Sequence, residues 1–208
     1  MHFKLSSTPI CLVVLVFLFA GCQTVRMPTG PDVDHLTPLD HAPLLAVCAR
    51  DHREKDRIGM IGGTSIMVPR EDASKTLENY IRQTLYQAGI NSSIQSGCAD
   101  VSQGQSAKDM VSRSRADGLL IFNIQTIKVG SVDLLLDPPH YELESSASLY
   151  MADGKLYLER NFFSSIKNQS IGSNGQGKAV ASLMEDAAEK LRNLSQFNEY
   201  LKSIQHHS

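Results

Sequence analysis

What this chain lacks narrows its function before any motif does. It has no apolar run of the roughly 20 residues that a helix needs to cross a bilayer; the stretch Ile10–Phe19 stops at ten. It has no excess of one charge either. Twenty basic residues are set against 22 acidic ones, so there is no concentrated basic face to neutralise phosphates, which argues against a nucleic-acid partner. The one dense run, Arg50–Arg57, mixes both signs and reads as a solvated loop. The histidines at 35, 41, 52, 140, 206 and 207 show neither HExxH nor a paired spacing that a metal would use. Gly59, Gly62 and Gly63 do not make the GxGxxG that cradles a dinucleotide. Nothing here calls for a cofactor.

What is present is concentrated at the start. Lys4, the short apolar run and the small residues that follow read as a secretory leader over residues 1–21. It ends in Leu18-Phe19-Ala20-Gly21-Cys22, which resembles the lipobox of bacterial lipoproteins. That resemblance implies cleavage before Cys22, acylation of its thiol, and, with Gln23 rather than Asp next, sorting to the periplasmic leaflet of the outer membrane. Each buried CH₂ of the acyl chains would add about 0.8 kcal/mol, and more than one chain makes anchoring stable. Loss of residues 1–21 leaves 187 of the 208 residues, enough for one domain with a proper core.

Four cysteines are present. Cys11 leaves with the leader and Cys22 takes the lipid. Cys48 and Cys98 remain in a compartment that permits disulfides. Each sits near the end of an expected strand, and those strands should be neighbours, so a bridge is expected. It would close a loop of about 50 residues and add about 4 kcal/mol on the chain-entropy account. Two buried thiols are the alternative.

Residues 24–43 hold four prolines and a glycine with little apolar periodicity, and read as a tether between lipid and domain. As a coil they would span about 25 Å. Leu44–Cys48 has the pattern of a buried strand. A glycine-bearing loop follows to Pro69, with a strand fragment expected within it at Ile66–Val68. Leu77, Ile81 and Leu85 then recur at helical spacing, and Gly89 stops that helix. Ile90–Gln95 is a second strand, Ser106–Arg115 a helix, and Leu119–Phe122 a buried strand. The apolar phase changes between Ile124 and Val129, as a bulge requires. Tyr141, Leu143, Ala147, Leu149 and Met151 alternate with polar residues. Asp153-Gly154 precedes a further alternating run, which predicts a hairpin with both turn residues at positive φ. Residues 171–178 read as a glycine-rich linker, and Val180–Ile204 as helix with a break near Ser195. The element order is β-α-β-α-β-β-β-α: a single α/β (α+β) domain over 44–204, with helices packed on a mixed sheet and a frayed tail at 205–208.

Two patterns look like chemistry and fail on context. Gly172–Ala179 nearly spells the phosphate loop GxxxxGK[ST], but Ala179 has no hydroxyl for Mg²⁺ and the preceding strand belongs to a hairpin; no nucleotide partner is expected. Ser164–Lys167 matches SxxK without a KTG or a helix opening at the serine. The segment 58–68 stands out differently. Ile58, Met60, Ile61, Ile66 and Met67, among glycine hinges, read either as an apolar docking loop, because loops carry function disproportionately, or as a segment packed onto its own sheet.

These elements together resemble YajG-type outer-membrane lipoproteins. The shared features are the lipobox, the helix Leu77–Ala88, the long strand from Leu119, the hairpin at Asp153-Gly154 and the ending Ala179–Lys202 with Phe197-Asn198-Glu199-Tyr200-Leu201. The element order is also similar to the amino-terminal domains of TolB-like and curli-secretion-type periplasmic proteins. The resemblance implies a non-enzymatic, lipid-anchored domain that docks or helps assemble an envelope protein partner, and it carries no catalytic residue over. Two alternatives stand beside it. One is a small-ligand carrier or envelope enzyme with its site between the sheet and the 58–68 loop. The other is a homo-oligomeric secretion-type channel component that turns 119–166 into membrane hairpins.

Overall fold

The structure is a computed structural model, and it describes residues 21–95, 104–130, 138–167 and 172–205. Among these, eight strands form one open mixed sheet: β1 (Cys22–Thr24), β2 (Leu44–Asp51), β3 (Arg57–Ile61), β4 (Thr64–Met67), β5 (Asn91–Ile94), β6 (Gly118–Val129), β7 (His140–Met151) and β8 (Leu156–Lys167). Four helices pack on it: α1 (Arg70–Gln87), α2 (Gly104–Ser114), α3 (Ser173–Arg192) and α4 (Ser195–Gln205). The α/β expectation holds.

β6 organises the sheet. Antiparallel β7 runs along one edge for its whole length, while parallel β2 and then, at Val129, Gly59 of β3 occupy the other. β5 pairs parallel beyond β2, β8 antiparallel beyond β7, and β4 and β1 extend the sheet from β3. The expected phase change in β6 is a register shift between Ile124 and Thr126, where one extra residue swings the apolar set back to the core.

Alternation decides the two faces. Leu45, Val47, Leu120, Phe122, Leu143, Ala147 and Leu149 form a continuous core with Leu77, Ile81, Val180, Met184 and Leu201 of α1, α3 and α4. A smaller cluster on the opposite face joins Ala46, Cys48, Leu119 and Ile121 to Ala107 and Val111 of α2. The strand β2, buried on both sides, therefore reads as an unbroken apolar run.

Several expectations are corrected by what the residues touch. Residues 24–43 are a packed strap, not a tether. Val25 is fully buried and Val33 nearly so; Thr76 donates to the Pro28 carbonyl (2.9 Å), Asn79 to that of Thr29 (2.6 Å), and Asn91 to that of Leu39 (2.9 Å). The linker expected over 171–178 is the opening of α3, which begins at Ser173; Ile171 lies outside the described residues. Gly177 is there because a Cβ would stand 2.0 Å from the Arg26 carbonyl oxygen, so the glycine admits the crossing strap rather than flexibility. The Arg50–Arg57 run is not simply solvated. The Arg53 guanidinium binds Asp51 (Nε–Oδ1 2.9 Å) and the Val68 carbonyl (3.1 Å), and both charged side chains are almost wholly buried. At the β7–β8 turn, Gly154 has φ +84° but Asp153 does not join it; a three-residue loop with glycine in the left-handed position replaces the two-residue turn. Gln205, expected to be frayed, ends α4 and donates to the Ala88 carbonyl (3.3 Å); residues 206–208 lie outside the described residues.

Candidate functional site

Cys22 is exposed at the first position of β1, the sheet's edge strand. Its strand is held by register with β4 (Cys22 opposite Ser65, Thr24 opposite Met67). Ser65 donates to the Gly21 carbonyl at 3.1 Å, and Val25 to that of Met67 at 2.8 Å. Gln23, between them, is half-buried. The apolar segment from 58 to 68 sits beside this edge, and it is not a mobile loop. It is the hairpin β3–β4, closed by Gly62 and Gly63 at φ +54° and +81°, the positive pair that a tight two-residue turn demands. Ile58, Ile61 and Ile66 point into the core at 5%, 4% and 0% exposure; Met60, at 38%, and the half-buried Met67 remain near the surface. The expected loop is thus a hairpin, and three of its five apolar side chains follow the packing reading.

The sequence gives no hint of the second feature, a groove of about 480 Å³ between the strap and the α1–β5 layer. Leu36, Pro38 and Leu39 of the strap form one wall, and Arg82, Tyr86 and Ser92 the other. Asn91 fixes the strap by accepting from the Leu39 N–H (2.9 Å) and donating to the Leu39 carbonyl. Arg82 meets Asp34 at 3.2 Å while its Nε is buried without a partner. His41 lines the groove with φ +56°, a conformation that costs a non-glycine residue. This space has the volume of a small-ligand site.

The remaining sequence candidates separate. Ser164 is buried beneath α3, hydrogen-bonded to the Lys190 ammonium at 3.4 Å, while Lys167 stands on the opposite face of β8; the SxxK pair never meets. Gly172–Ala179 winds into helix, with Gln176 and Gly177 buried, so no backbone cradle faces solvent. Among the described residues no three His, Cys, Asp or Glu side chains are grouped to hold a metal, and no helix is long and apolar enough to cross a membrane. Cys48 is 4% exposed on β2, whose partner β5 leads toward Cys98; Cys98 itself lies outside the described residues. Burial lifts the Tyr141 phenol to about 12, and burial with the nearby Asp117 also raises that of Tyr200.

No family model and no curated protein matches the chain. Solved structures do. A protein from Xanthomonas campestris, XCC0632 of family DUF330, matches with TM-score 0.53 at 14% identity, covering 88% of this chain and 98% of its own. A hypothetical protein from Chlamydia trachomatis, CT253, gives 0.51 at 11% identity over 73% and 96%. The lipoprotein GNA1162 from Neisseria meningitidis gives 0.45 at 11% over 73% and 99%. The chain shares the fold of the first two. At such identities the likeness extends to architecture alone.

Proposed function

We propose that this chain is a non-catalytic envelope lipoprotein of the YajG type, acylated at Cys22 after removal of residues 1–21. Gln23 directs it to the periplasmic leaflet of the outer membrane, and its α/β domain docks a protein partner there. The observation that carries this reading is the coincidence of two independent features at one residue. The lipobox-like leader ends at Cys22, and Cys22 is the exposed first residue of β1. Because the strap is packed, an acyl anchor on Cys22 holds the sheet edge against the bilayer, instead of suspending the domain from a flexible stem. A Cys48–Cys98 bridge belongs to the same proposal, in keeping with an oxidising compartment. Partner docking rests on the surface left after Ile58, Ile61 and Ile66 are buried, with Met60 and the hairpin turn beside the anchor.

Labelled palmitate taken up by cells tests it directly. The wild type should carry label and partition with membranes; Cys22→Ser should carry none and appear in the soluble periplasmic fraction. Equal membrane retention of the serine variant would defeat the anchoring.

A ligand-carrier reading has one specific support, the strap groove with its strained His41 and its buried, half-satisfied Arg82. The channel reading has less, because alternate residues of β6, β7 and β8 are buried in the core beneath α1 and α3 rather than available to lipid.

A further inference from the structure

β8 is a long edge strand. Among the described residues it pairs only with β7, leaving the other side of its twelve residues open, about 40 Å at the usual rise. The edges on the other side of the sheet, at β5 and β1, are only four and three residues long. Of the five large apolar side chains exposed among the described residues, Leu156, Tyr157 and Phe163 are on β8, Phe163 at 54%. Unpaired strand edges template further strands, and natural proteins guard them with charged side chains. Here Lys190 donates to the Phe163 carbonyl (2.6 Å) and Arg160 to that of Glu159 (3.5 Å). Those two carbonyls are four residues apart and so leave the strand on one side.

The exposed face of β8 carries Glu159, Asn161, Phe163, Ser165 and Lys167, while Leu158, Phe162 and Ser164 are buried on the other face. An antiparallel copy of this strand centred on Phe163 puts Phe163 opposite Phe163, Asn161 opposite Ser165, and Glu159 opposite Lys167, twice over. Among registers that keep exposed face with exposed face, shifting the centre to Phe162 or Ser164 removes both charge pairs. The strand is complementary to itself in one register only. Directly opposed aromatic and opposite-charge pairs are what stabilise an antiparallel ladder.

We propose that β8 is the interface for a second copy of this chain, joined edge to edge across a two-fold axis at Phe163 into one continuous sheet. The contact is isologous, as two-fold symmetry requires. The axis stands perpendicular to the sheet and β1 occupies the far side from β8, so both Cys22 residues fall on the outer rims. Lys190 is a removable guard: it is also paired with Asp186 at 2.5 Å, and it keeps that partner when it releases the Phe163 carbonyl. The proposal does not depend on acylation.

Full chain extracted from membranes in detergent, with mass measured by light scattering after subtraction of the micelle, reads the outcome. Wild type at tens of micromolar should be a dimer, and Cys22→Ser, purified from the soluble fraction and measured in the same detergent, should dimerise alike. Glu159→Lys and Lys167→Glu should each be monomeric, because each sets two pairs of like charges face to face. The double variant E159K/K167E should regain the dimer, which separates lost pairing from lost folding. Lys190→Met should tighten association by at least several-fold. A monomeric wild type, a dimer indifferent to E159K, or a double variant that stays monomeric would each overturn the proposal.

Discussion

At the scale of single residues, two buried tyrosines make a controlled comparison. Tyr141 is fully buried and its hydroxyl has no hydrogen-bond partner, whereas the Tyr200 hydroxyl donates to the Asp117 carbonyl at 2.9 Å. An unmet buried hydroxyl costs about 1–3 kcal/mol, and a met one contributes about 1 kcal/mol. Tyr141→Phe should therefore leave stability at pH 7 unchanged or raise it by about 1 kcal/mol, and Tyr200→Phe should lower it by about as much. Both phenols have folded pKa values above the ordinary 10, that of Tyr141 at about 12. A raised pKa means a contribution that is intact below pH 10 and lost as pH climbs toward 12, where the unfolded chain ionises first. Urea midpoints at pH 7 and pH 11 should show a shallower alkaline decline for Tyr141→Phe than for wild type. Neither tyrosine's role was legible in the sequence, because an aromatic in an alternating strand (Tyr141) or on the apolar stripe of a helix (Tyr200) simply reads as packing. The Asp51–Arg53 pair was hidden for a similar reason: charges two apart in a polar run look solvated until the start of α1 closes over them.

At the scale of elements, legibility followed locality. The alternation of β7, the helical stripe Leu77–Leu85 and the phase change in β6 are periodicities written within a dozen residues, and the structure contains all three. The hairpin β3–β4 was missed because its strands are five and four residues long, too short for alternation to stand out, so its Gly-Gly turn looked like a hinge. The opening of α3 was missed because three glycines within six residues look like linker. Gly177 provides the test. In a helix, alanine ordinarily improves on glycine by about 1 kcal/mol. Here the added Cβ would meet the Arg26 carbonyl oxygen at 2.0 Å, and backbone must move to admit it. Overpacking of that kind costs about 1–3 kcal/mol, or a fall of about 5 °C in Tm for a domain of this size. A Gly177→Ala melting curve that moves upward instead would mean that the strap does not cross α3 as described.

For the molecule as a whole, the decisive question is whether residues 24–43 are stem or structure. Prolines and glycine gave the segment a linker's composition, and its partners Thr76, Asn79 and Asn91 lie about fifty residues away in sequence, beyond any local pattern. Burying a valine is worth about 1.5–3 kcal/mol, and Val25 and Val33 are both buried. Deleting the segment also strips the hydrogen-bond partners from those three polar side chains, at about 1–3 kcal/mol for each group left buried. Together these losses approach the entire 5–15 kcal/mol that holds an ordinary domain folded. A chain lacking residues 24–43 should therefore lose its cooperative urea transition, and Asn91→Ala in the intact chain should lower the midpoint by an amount equivalent to about 2 kcal/mol. A stem would behave differently, because its deletion leaves the midpoint where it was and only draws the domain toward the membrane. If the strap is structure, a lipid on Cys22 and the fold of the domain meet at one edge. With Cys22 acylated as proposed, the orientation of the sheet at the bilayer would then be set by the register of β1 on β4 rather than by the reach of a coil.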